Sequence, residues 1–284
     1  MLKQLLGLAP TREADGSYSP SKVALKLATV KTTDFDNPDY PQVQGTRSKV
    51  LVIFTEQKDM EMKNGKRFST GNHPVEALVP MLHLRNAGFS FDIATPTGKP
   101  VVFEMWAFPS EDDHVQVIFD AHRAAFEQPL DLRTVAEQLP ENGSPYAAVF
   151  VPGGHGSMLG IPEDQNVKTT LEWAHGQGLY TISLCHGPGS FLTTQNPEGK
   201  FMYDGYRMAV FPDSVDRMTP MIGYLPGHMP HGLSETLKGM GAEVVNAKGD
   251  DTVCRDRTLI TGASPLASNK LGKLAVETLL ATTD

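Results

Sequence analysis

The stretch Tyr180-Thr-Ile-Ser-Leu-Cys185-His186-Gly187-Pro188-Gly189-Ser190 decides the fold of this chain, because an apolar, β-branched run leads directly into small and helix-starting residues. The pattern predicts a strand, a sharp turn at Cys185 and a helix, which is the form of a nucleophile elbow. The positive end of that helix would stabilise a thiolate, so we expect a lowered thiol pKa at Cys185. The alternative is a buried core thiol, the usual state of an intracellular cysteine.

Composition limits the classes of function. The chain has 284 residues, 40% of them hydrophobic, which is enough for one large α/β core with an appendage. With 25 basic against 33 acidic residues and no basic stripe, nucleic acid and anionic membrane are not expected partners. The two cysteines, Cys185 and Cys254, make no disulfide framework, and no apolar run reaches the roughly eighteen residues of a membrane span. We therefore expect a cytoplasmic protein.

Strand-like and helix-like segments alternate along most of the chain. This alternation predicts a doubly wound, mostly parallel sheet sandwiched by helices. Residues 1–47 are expected to form an arm over the surface, residues 48–284 the α/β domain, and residues 98–143 an inserted cap beside the site. The predicted strands are 49–55, 89–95, 146–151, 180–185, 206–211, 243–246 and 258–261; the predicted helices are 71–88, 113–127, 130–139, 162–177, 233–240 and 269–281, with a Pro/Gly-rich loop at 219–230 bordering the pocket.

Two further motifs lie at the carboxyl ends of predicted strands. Glu76 follows Pro74 in the first turn of its helix. An acidic side chain there can have only a structural role, by interacting favourably with the helix dipole, or it can take part in chemistry in the pocket. Gly154 lies in the turn Val151-Pro-Gly-Gly-His-Gly, where glycines let backbone N–H groups approach a ligand or simply make the turn. Since open α/β sheets build their sites at this edge, both motifs are expected near Cys185.

Taken together, the three motifs resemble those of the ThiJ/PfpI superfamily, a flavodoxin-like fold with a cysteine at the elbow. The arm, the insertion at 98–143 and the run Phe68-Ser-Thr-Gly-Asn-His-Pro74 resemble more narrowly the thirty-one-kilodalton bacterial heat-shock chaperones, also described as glutathione-independent glyoxalases (glyoxalase III). The likeness covers nearly the whole chain from about residue 40. Three motifs in the same order are more specific than any one of them.

The resemblance implies a role for each matching residue. Cys185 is the nucleophile, Glu76 its acidic partner, His186 its neighbour, and Asp213, in Phe-Pro-Asp, the carboxylate that orients the histidine. A glutamate in a closed pocket can be protonated near neutral pH and then carry a proton. His186 can cooperate with Cys185 only through the bend of the elbow. The backbone N–H groups of Gly154 and His186 are the expected oxyanion donors.

The metal site of the chaperone branch is altered in this chain. The resemblance places a histidine and a glutamate where this sequence has Arg85 and Ser90, so that only His122 is left of a two-histidine, one-carboxylate site. Because an arginine cannot coordinate zinc and a lone histidine is a poor site, we expect no metal and no other cofactor.

The resemblance implies conversion of 2-oxoaldehydes such as methylglyoxal to 2-hydroxy acids, or deglycation of methylglyoxal-modified amines by the same thiol. The alternatives are a holdase chaperone that binds unfolded proteins through exposed apolar surface, and a cysteine peptidase or amidase, against which the inserted cap argues. A homodimer is expected.

Overall fold

A computed structural model of the chain describes residues 2–282. Two short helices and two short strands precede Lys49, where the buried strands of the core begin. The strands are β1 (Thr11–Arg12), β2 (Tyr18–Ser19), β3 (Lys49–Ile53), β4 (Asp59–Glu61), β5 (Arg67–Ser69), β6 (Ser90–Thr95), β7 (Leu130–Asp131), β8 (Tyr146–Val151), β9 (Tyr180–Leu184), β10 (Arg207–Met208), β11 (Glu243–Val244), β12 (Val253–Asp256) and β13 (Leu259–Gly262).

The helices alternate with the core strands, as the sequence predicts. They are α1 (Leu2–Leu5), α2 (Lys22–Ala28), α3 (Pro74–Asn86), α4 (Asp113–Glu127), α5 (Leu132–Glu137), α6 (Gln165–Gly176), α7 (Asp213–Ile222), α8 (Leu233–Gly239) and α9 (Ser268–Leu280). Short 3₁₀ segments span Met105–Ala107, His155–Met158, Gly187–Thr194 and Pro265–Ala267. Within residues 2–282, no helix combines the length and apolar character that crossing a bilayer requires.

The main sheet has the order β12-β13-β9-β8-β3-β6-β7 and is parallel except for β12. Alternate residues of β3 point to opposite faces of the sheet and pack into the hydrophobic core on that face. Val50 and Val52 pack with α3 and α9 on one face, whereas Leu51 and Ile53 pack with α6 on the other. A strand buried on both faces must be apolar throughout, which explains the continuous runs in the sequence. The predicted flavodoxin-like, doubly wound α/β fold is confirmed.

The arm takes part in a second sheet, of order β1-β2-β5-β4. Its strand β2 pairs with β5, and α2 brings Leu27 and Ala28 to the wall of the cavity that contains Cys185. The insertion, 98–143, contributes α4, α5 and the edge strand β7. The division of the chain at residue 47 and the assignment of the insertion as a cap stay predictions.

Three local predictions were wrong. The segment after Cys185 is a 3₁₀ run, Gly187–Thr194, and not an α-helix. Part of the predicted loop 219–230 is helical, because α7 starts at Asp213 and tolerates Pro220 in its last turns. The predicted strand 206–211 is only β10, which pairs with β11 outside the main sheet; beyond it, Phe211 N–H is taken by the carbonyl of Cys185.

Candidate active site

Cys185 lies at a strained turn directly after β9. Its φ is +58°, a conformation that costs a non-glycine residue energy and that surrounding contacts must hold. Two backbone bonds do so: Cys185 N–H donates to Gly262 O (2.8 Å), and Phe211 N–H donates to Cys185 O (3.0 Å). Gly187 completes the turn, since a Cβ there would overlap the hydroxyl of Ser183. The sharp turn expected from the sequence is therefore present, and it directs Cys185 into a cavity.

The bend brings His186 back to the thiol. The Sγ atom of Cys185 lies 3.3 Å from Nδ1 of His186, and Nε2 of His186 lies 2.8 Å from Oδ2 of Asp216. The other oxygen of Asp216 is 3.0 Å from Nε2 of His155, whose ring lies 4.1 Å from that of His186. Both histidines lower the pKa of Asp216 well below its usual range, against the effect of burial. The carboxylate is thus held ionised between two imidazoles.

The orienting carboxylate expected from the sequence, Asp213, is elsewhere. Its two oxygens accept the backbone N–H groups of Ser234 (3.1 Å) and Glu235 (2.7 Å), at the start of α8. Asp213 begins α7, and Asp216 lies nearly one turn later on the side that faces His186. The prediction missed this residue because it missed the helix.

Glu76 is fully buried in the first turn of α3 and lines the same cavity as Cys185. Neither carboxyl oxygen has a well-formed hydrogen bond within residues 2–282. Burial raises the pKa of Glu76 well above its ordinary value, and the nearby Cys185 thiol and Gly154 N–H offset only part of that effect. Space for the carboxyl depends on Gly153, where a Cβ would overlap Oε2 of Glu76 and crowd Cys185.

The expected lowering of the Cys185 pKa was wrong. Burial, followed by the charges of Glu76 and Asp216, raises the thiol pKa. A 3₁₀ segment also offers less of an aligned dipole than the α-helix on which the prediction relied. Burial raises the pKa of both Glu76 and Cys185, so the site favours the neutral forms of the two groups, whose ionisations affect each other.

The two proposed oxyanion donors flank the cavity. Gly154 lines it with φ of +101°, a conformation that needs glycine, and its N–H lies toward the Glu76 carboxyl. The N–H of His186 has no acceptor within the part of the chain that the structure describes. The latter is therefore the donor more available to a ligand at Cys185.

Three more polar residues that the sequence analysis left without a role line the cavity: His73, Glu104 and His155. Burial lowers the pKa of His73 to about 3, and its Nδ1 has no partner among the described residues. Burial raises the pKa of Glu104 to about 7. His155 belongs to the quoted Gly-rich turn, but Glu104 comes from the insertion, where nothing in the sequence marks it.

The cavity itself has a volume of about 330 Å³. Its inner wall is polar and includes Cys185 and Glu76, whereas its mouth is apolar. The apolar lining residues are Leu27 and Ala28 of the arm, Phe211, Val215 and Ile222 near and on α7, and Pro265 and Leu266 after β13. A small molecule with one polar and one apolar end fits this division.

The residues at the altered metal site do not suit a metal. The guanidinium of Arg85 and the exposed hydroxyl of Ser90 offer no imidazole or carboxylate, and Nδ1 of His122 lies 3.0 Å from the carbonyl of Ile118 in its own helix. Within residues 2–282, one group of three potential ligands lies within 4.8 Å, namely His155, His186 and Asp216. Both imidazoles there already bond the carboxylate through Nε2.

Two curated relatives match the chain over nearly its full length. The "Protein/nucleic acid deglycase 1" of Escherichia coli (strain K12) is 43% identical over 267 residues, which cover 94% of this chain and 93% of the relative. The "Protein/nucleic acid deglycase HchA" of Escherichia coli O157:H7 matches with the same identity and coverage. No protein-family model matches the sequence.

Solved structures match the fold at lower identity. The Rapid Encystment Protein 24 KDa of Francisella tularensis superposes with a TM-score of 0.68 at 19% identity, covering 82% of this chain and 99% of that one. Glyoxalase III from Candida albicans superposes with a TM-score of 0.62 at 22% identity, covering 81% and 96%. At these identities the likeness supports the fold.

Proposed function

The chain belongs to the HchA family of deglycases, the thirty-one-kilodalton branch that its motifs resemble, and on that premise we propose that it is a cysteine enzyme acting on 2-oxoaldehydes. It converts methylglyoxal and similar compounds to 2-hydroxy acids without a cofactor, and it removes them from glycated amines. The observation that carries the proposal is the position of Cys185 between the unpaired, buried Glu76 and the His186–Asp216 pair.

The first step forms a bond between Sγ of Cys185 and the aldehyde carbon. The thiol proton passes to Glu76 or His186, the carbonyl electron pair moves onto oxygen, and the N–H of His186 stabilises that oxygen. Asp216 accepts a hydrogen bond from the Nε2–H of the His186 ring and so fixes the tautomer whose unprotonated Nδ1 faces the thiol. Protonation of the oxygen gives a hemithioacetal.

The second step moves the oxidation level from one carbon to the next. A base removes the hydrogen of the former aldehyde carbon as a proton, the electron pair forms the C=C bond of an enediol, and the oxygen of the second carbon is protonated. The second carbon then takes up a proton while the hydroxyl of the first carbon loses one and becomes the thioester carbonyl. The product is a 2-hydroxyacyl thioester of Cys185, and water then breaks its C–S bond to release the acid and the thiol. A buried carboxyl without fixed partners, such as Glu76, can accept and return such a proton.

The deglycase reaction uses the same nucleophile. When the 2-oxoaldehyde arrives as an adduct of an amine, the C–N bond breaks, the amine leaves with a proton and the aldehyde carbon passes to Cys185.

The test is an assay of the purified protein with methylglyoxal, without glutathione, that follows loss of the aldehyde and formation of lactate. We expect Cys185→Ala to reduce turnover to the buffer rate, whereas Cys254→Ala, a matched change at a thiol on β12 outside the cavity, retains it. Treatment with a chelator is expected to leave turnover unchanged. Turnover by Cys185→Ala at a comparable rate would refute the proposal.

A second candidate function, capture of unfolded proteins, is favoured by one observation. Apolar side chains remain exposed on α2, α7 and near the start of α9: Leu27 (68%), Met218 (57%), Met221 (69%) and Leu266 (60%). Suppression of client aggregation by Cys185→Ala would separate this capture of unfolded proteins from the chemistry of the thiol.

We further propose that the protein is a homodimer, on the basis of the family resemblance. We also propose a cytoplasmic location, which is consistent with two free cysteines.

A further inference from the structure

The cavity at Cys185 carries acidic groups without a compensating cation. Glu76, Glu104 and Asp216 line it, and no lysine or arginine is among the residues that line it within 2–282. Asp216 is hydrogen-bonded to His155 and His186. Glu104 forms no ion pair with a lysine or arginine in that part of the chain.

Glu104 is held in place, yet the proposed chemistry does not use it. It is 1% exposed, directly before the 3₁₀ segment of the insertion, and its N–H donates to Asn72 O (3.0 Å). The hydroxyl of Thr70 donates to Oε1 (2.6 Å), and the backbone N–H groups of His155 and Gly71 lie toward the carboxyl, but Oε2 has no well-formed hydrogen bond within the described residues. A buried polar atom left unpaired is costly, so its retention in a cavity wall points to a ligand.

We infer that Glu104 is a specificity-determining residue that admits uncharged 2-oxoaldehydes and rejects anionic aldehydes of the same size; the inference rests on the function proposed above. An anion entering this cavity would lose its hydration and meet a like charge at short range, both of which oppose binding. An uncharged substrate meets only hydrogen-bonding groups at the inner wall and apolar side chains such as Phe211 and Leu266 at the mouth.

The same charge acts on the product. The reaction turns an uncharged aldehyde into a carboxylate, so Glu104 disfavours the bound 2-hydroxy acid more than the bound substrate. Product inhibition is therefore expected to be weak. The negative charge of Glu104 both selects the uncharged substrate and favours release of the anionic product.

The charge state of Glu104 sets the conditions of the test. The titratable groups that face it are His155, Glu76, Cys185 and Tyr224. Since burial raises the pKa of Glu104 to about 7, its carboxyl is mainly ionised at pH 8, and discrimination against anions should be stronger there than at pH 6.

The experiment compares two ligands of the same shape, mandelate and mandelamide, of which only the first is an anion. Each is tested at pH 8 for protection of Cys185 against iodoacetamide, read by mass spectrometry of the Cys185 peptide. In the unmodified protein, mandelamide should protect at a concentration about tenfold or more below that of mandelate, the scale expected for one like charge near a partly screened site. In Glu104→Gln the difference should shrink to about threefold or less.

Two control variants separate charge from shape. Glu104→Asp keeps the charge and should keep the discrimination, and Glu198→Gln removes one charge from a side chain that is 75% exposed and should change nothing. Equal protection by the two ligands in the unmodified protein, an undiminished difference in Glu104→Gln, or no protection by mandelamide would each overturn the inference. Because the readout is occupancy at the thiol, these outcomes are independent of whether methylglyoxal is turned over.

Discussion

At the residue scale, the reactivity of Cys185 depends on the group that takes its proton. Two acceptors are in reach, the buried Glu76 and Nδ1 of His186 at 3.3 Å. The two differ in their environments. Glu76 has no fixed partner, whereas His186 is fixed by Asp216 at 2.8 Å. A carboxyl without a fixed partner and an oriented imidazole suit the two proton transfers of the proposed reaction.

Asp216 and Asp213 offer a matched pair of variants. Asp216→Asn should lower turnover by about 10²–10⁴-fold, because an amide can donate to His186 Nε2 and so favour the wrong tautomer. Asp213→Asn should leave turnover within about threefold but cost about 1 kcal/mol of stability, because its carboxylate caps α8. Turnover against pH and thermal melting of both variants check this. Equal loss of turnover in the two variants would show that Asp216 has no special role.

This pair also shows how far sequence reasoning reached into the site. The positions of Cys185 and Glu76 follow from local patterns, a strand that ends in small residues and an acid in a first helical turn. The partner of His186 does not follow from a local pattern, because it depends on which residue of α7 faces the elbow. Pro220 argued against a helix in that segment, so α7 was not predicted. Glu104 depends on how the insertion folds back over Thr70, which is a long-range contact without a local signal.

At the scale of elements, the core was predictable because its constraint is simple. Strands β3, β8 and β9 are buried on both faces, so they are mainly apolar, and the helices between them each cover one face. The segments outside that sheet were harder to predict from the sequence. The 3₁₀ run after Cys185 differs from an α-helix only in its hydrogen-bond spacing, which the composition Gly-Pro-Gly-Ser does not determine.

The turn after β8 packs against both Cys185 and Glu76 through Gly153. A Cβ at Gly153 would overlap Oε2 of Glu76 and the backbone carbonyl of Leu184, although the φ of Gly153 is not in the left-handed region. We therefore expect Gly153→Ala to reduce turnover at least about tenfold by displacing the carboxyl, since small misplacements of catalytic groups are costly.

The control for that variant is Gly176→Ala at the end of α6, where an added Cβ meets no atom within 4 Å. Alanine there should leave turnover unchanged and hold or slightly raise the melting temperature. Steady-state kinetics with methylglyoxal and thermal melting of both variants provide the measurement. Full activity in Gly153→Ala would mean that Glu76 does not need its observed position.

At the scale of the whole molecule, the acidic cavity should be visible in the dependence of stability on pH. Burial lowers the pKa of His73 to about 3, so the folded state resists protonation of this residue, and stability is lost as pH falls below the ordinary value of 6.5. Glu76 and Glu104 act in the opposite sense. Their raised pKa values mean that the folded state holds more protons, so stability is lost as pH rises above their ordinary value of 4.5.

Glu104→Gln should therefore stabilise the protein in alkali, because it removes a carboxyl that must ionise in a buried site. A pKa of about 7 against an ordinary 4.5 corresponds to about 3 kcal/mol of stability lost between pH 4 and pH 8, which the variant should recover. In thermal melting this is roughly 5 °C at pH 8, with little change at pH 4. Glu198→Gln, which removes an exposed charge, should melt like the unmodified protein at both pH values.

If the melting temperatures of Glu104→Gln and the unmodified protein changed in parallel with pH, ionisation of the Glu104 carboxyl would not cost stability. If they diverge as expected, the protein gives up stability to keep an acid in its cavity wall, which a role in selecting the substrate would explain.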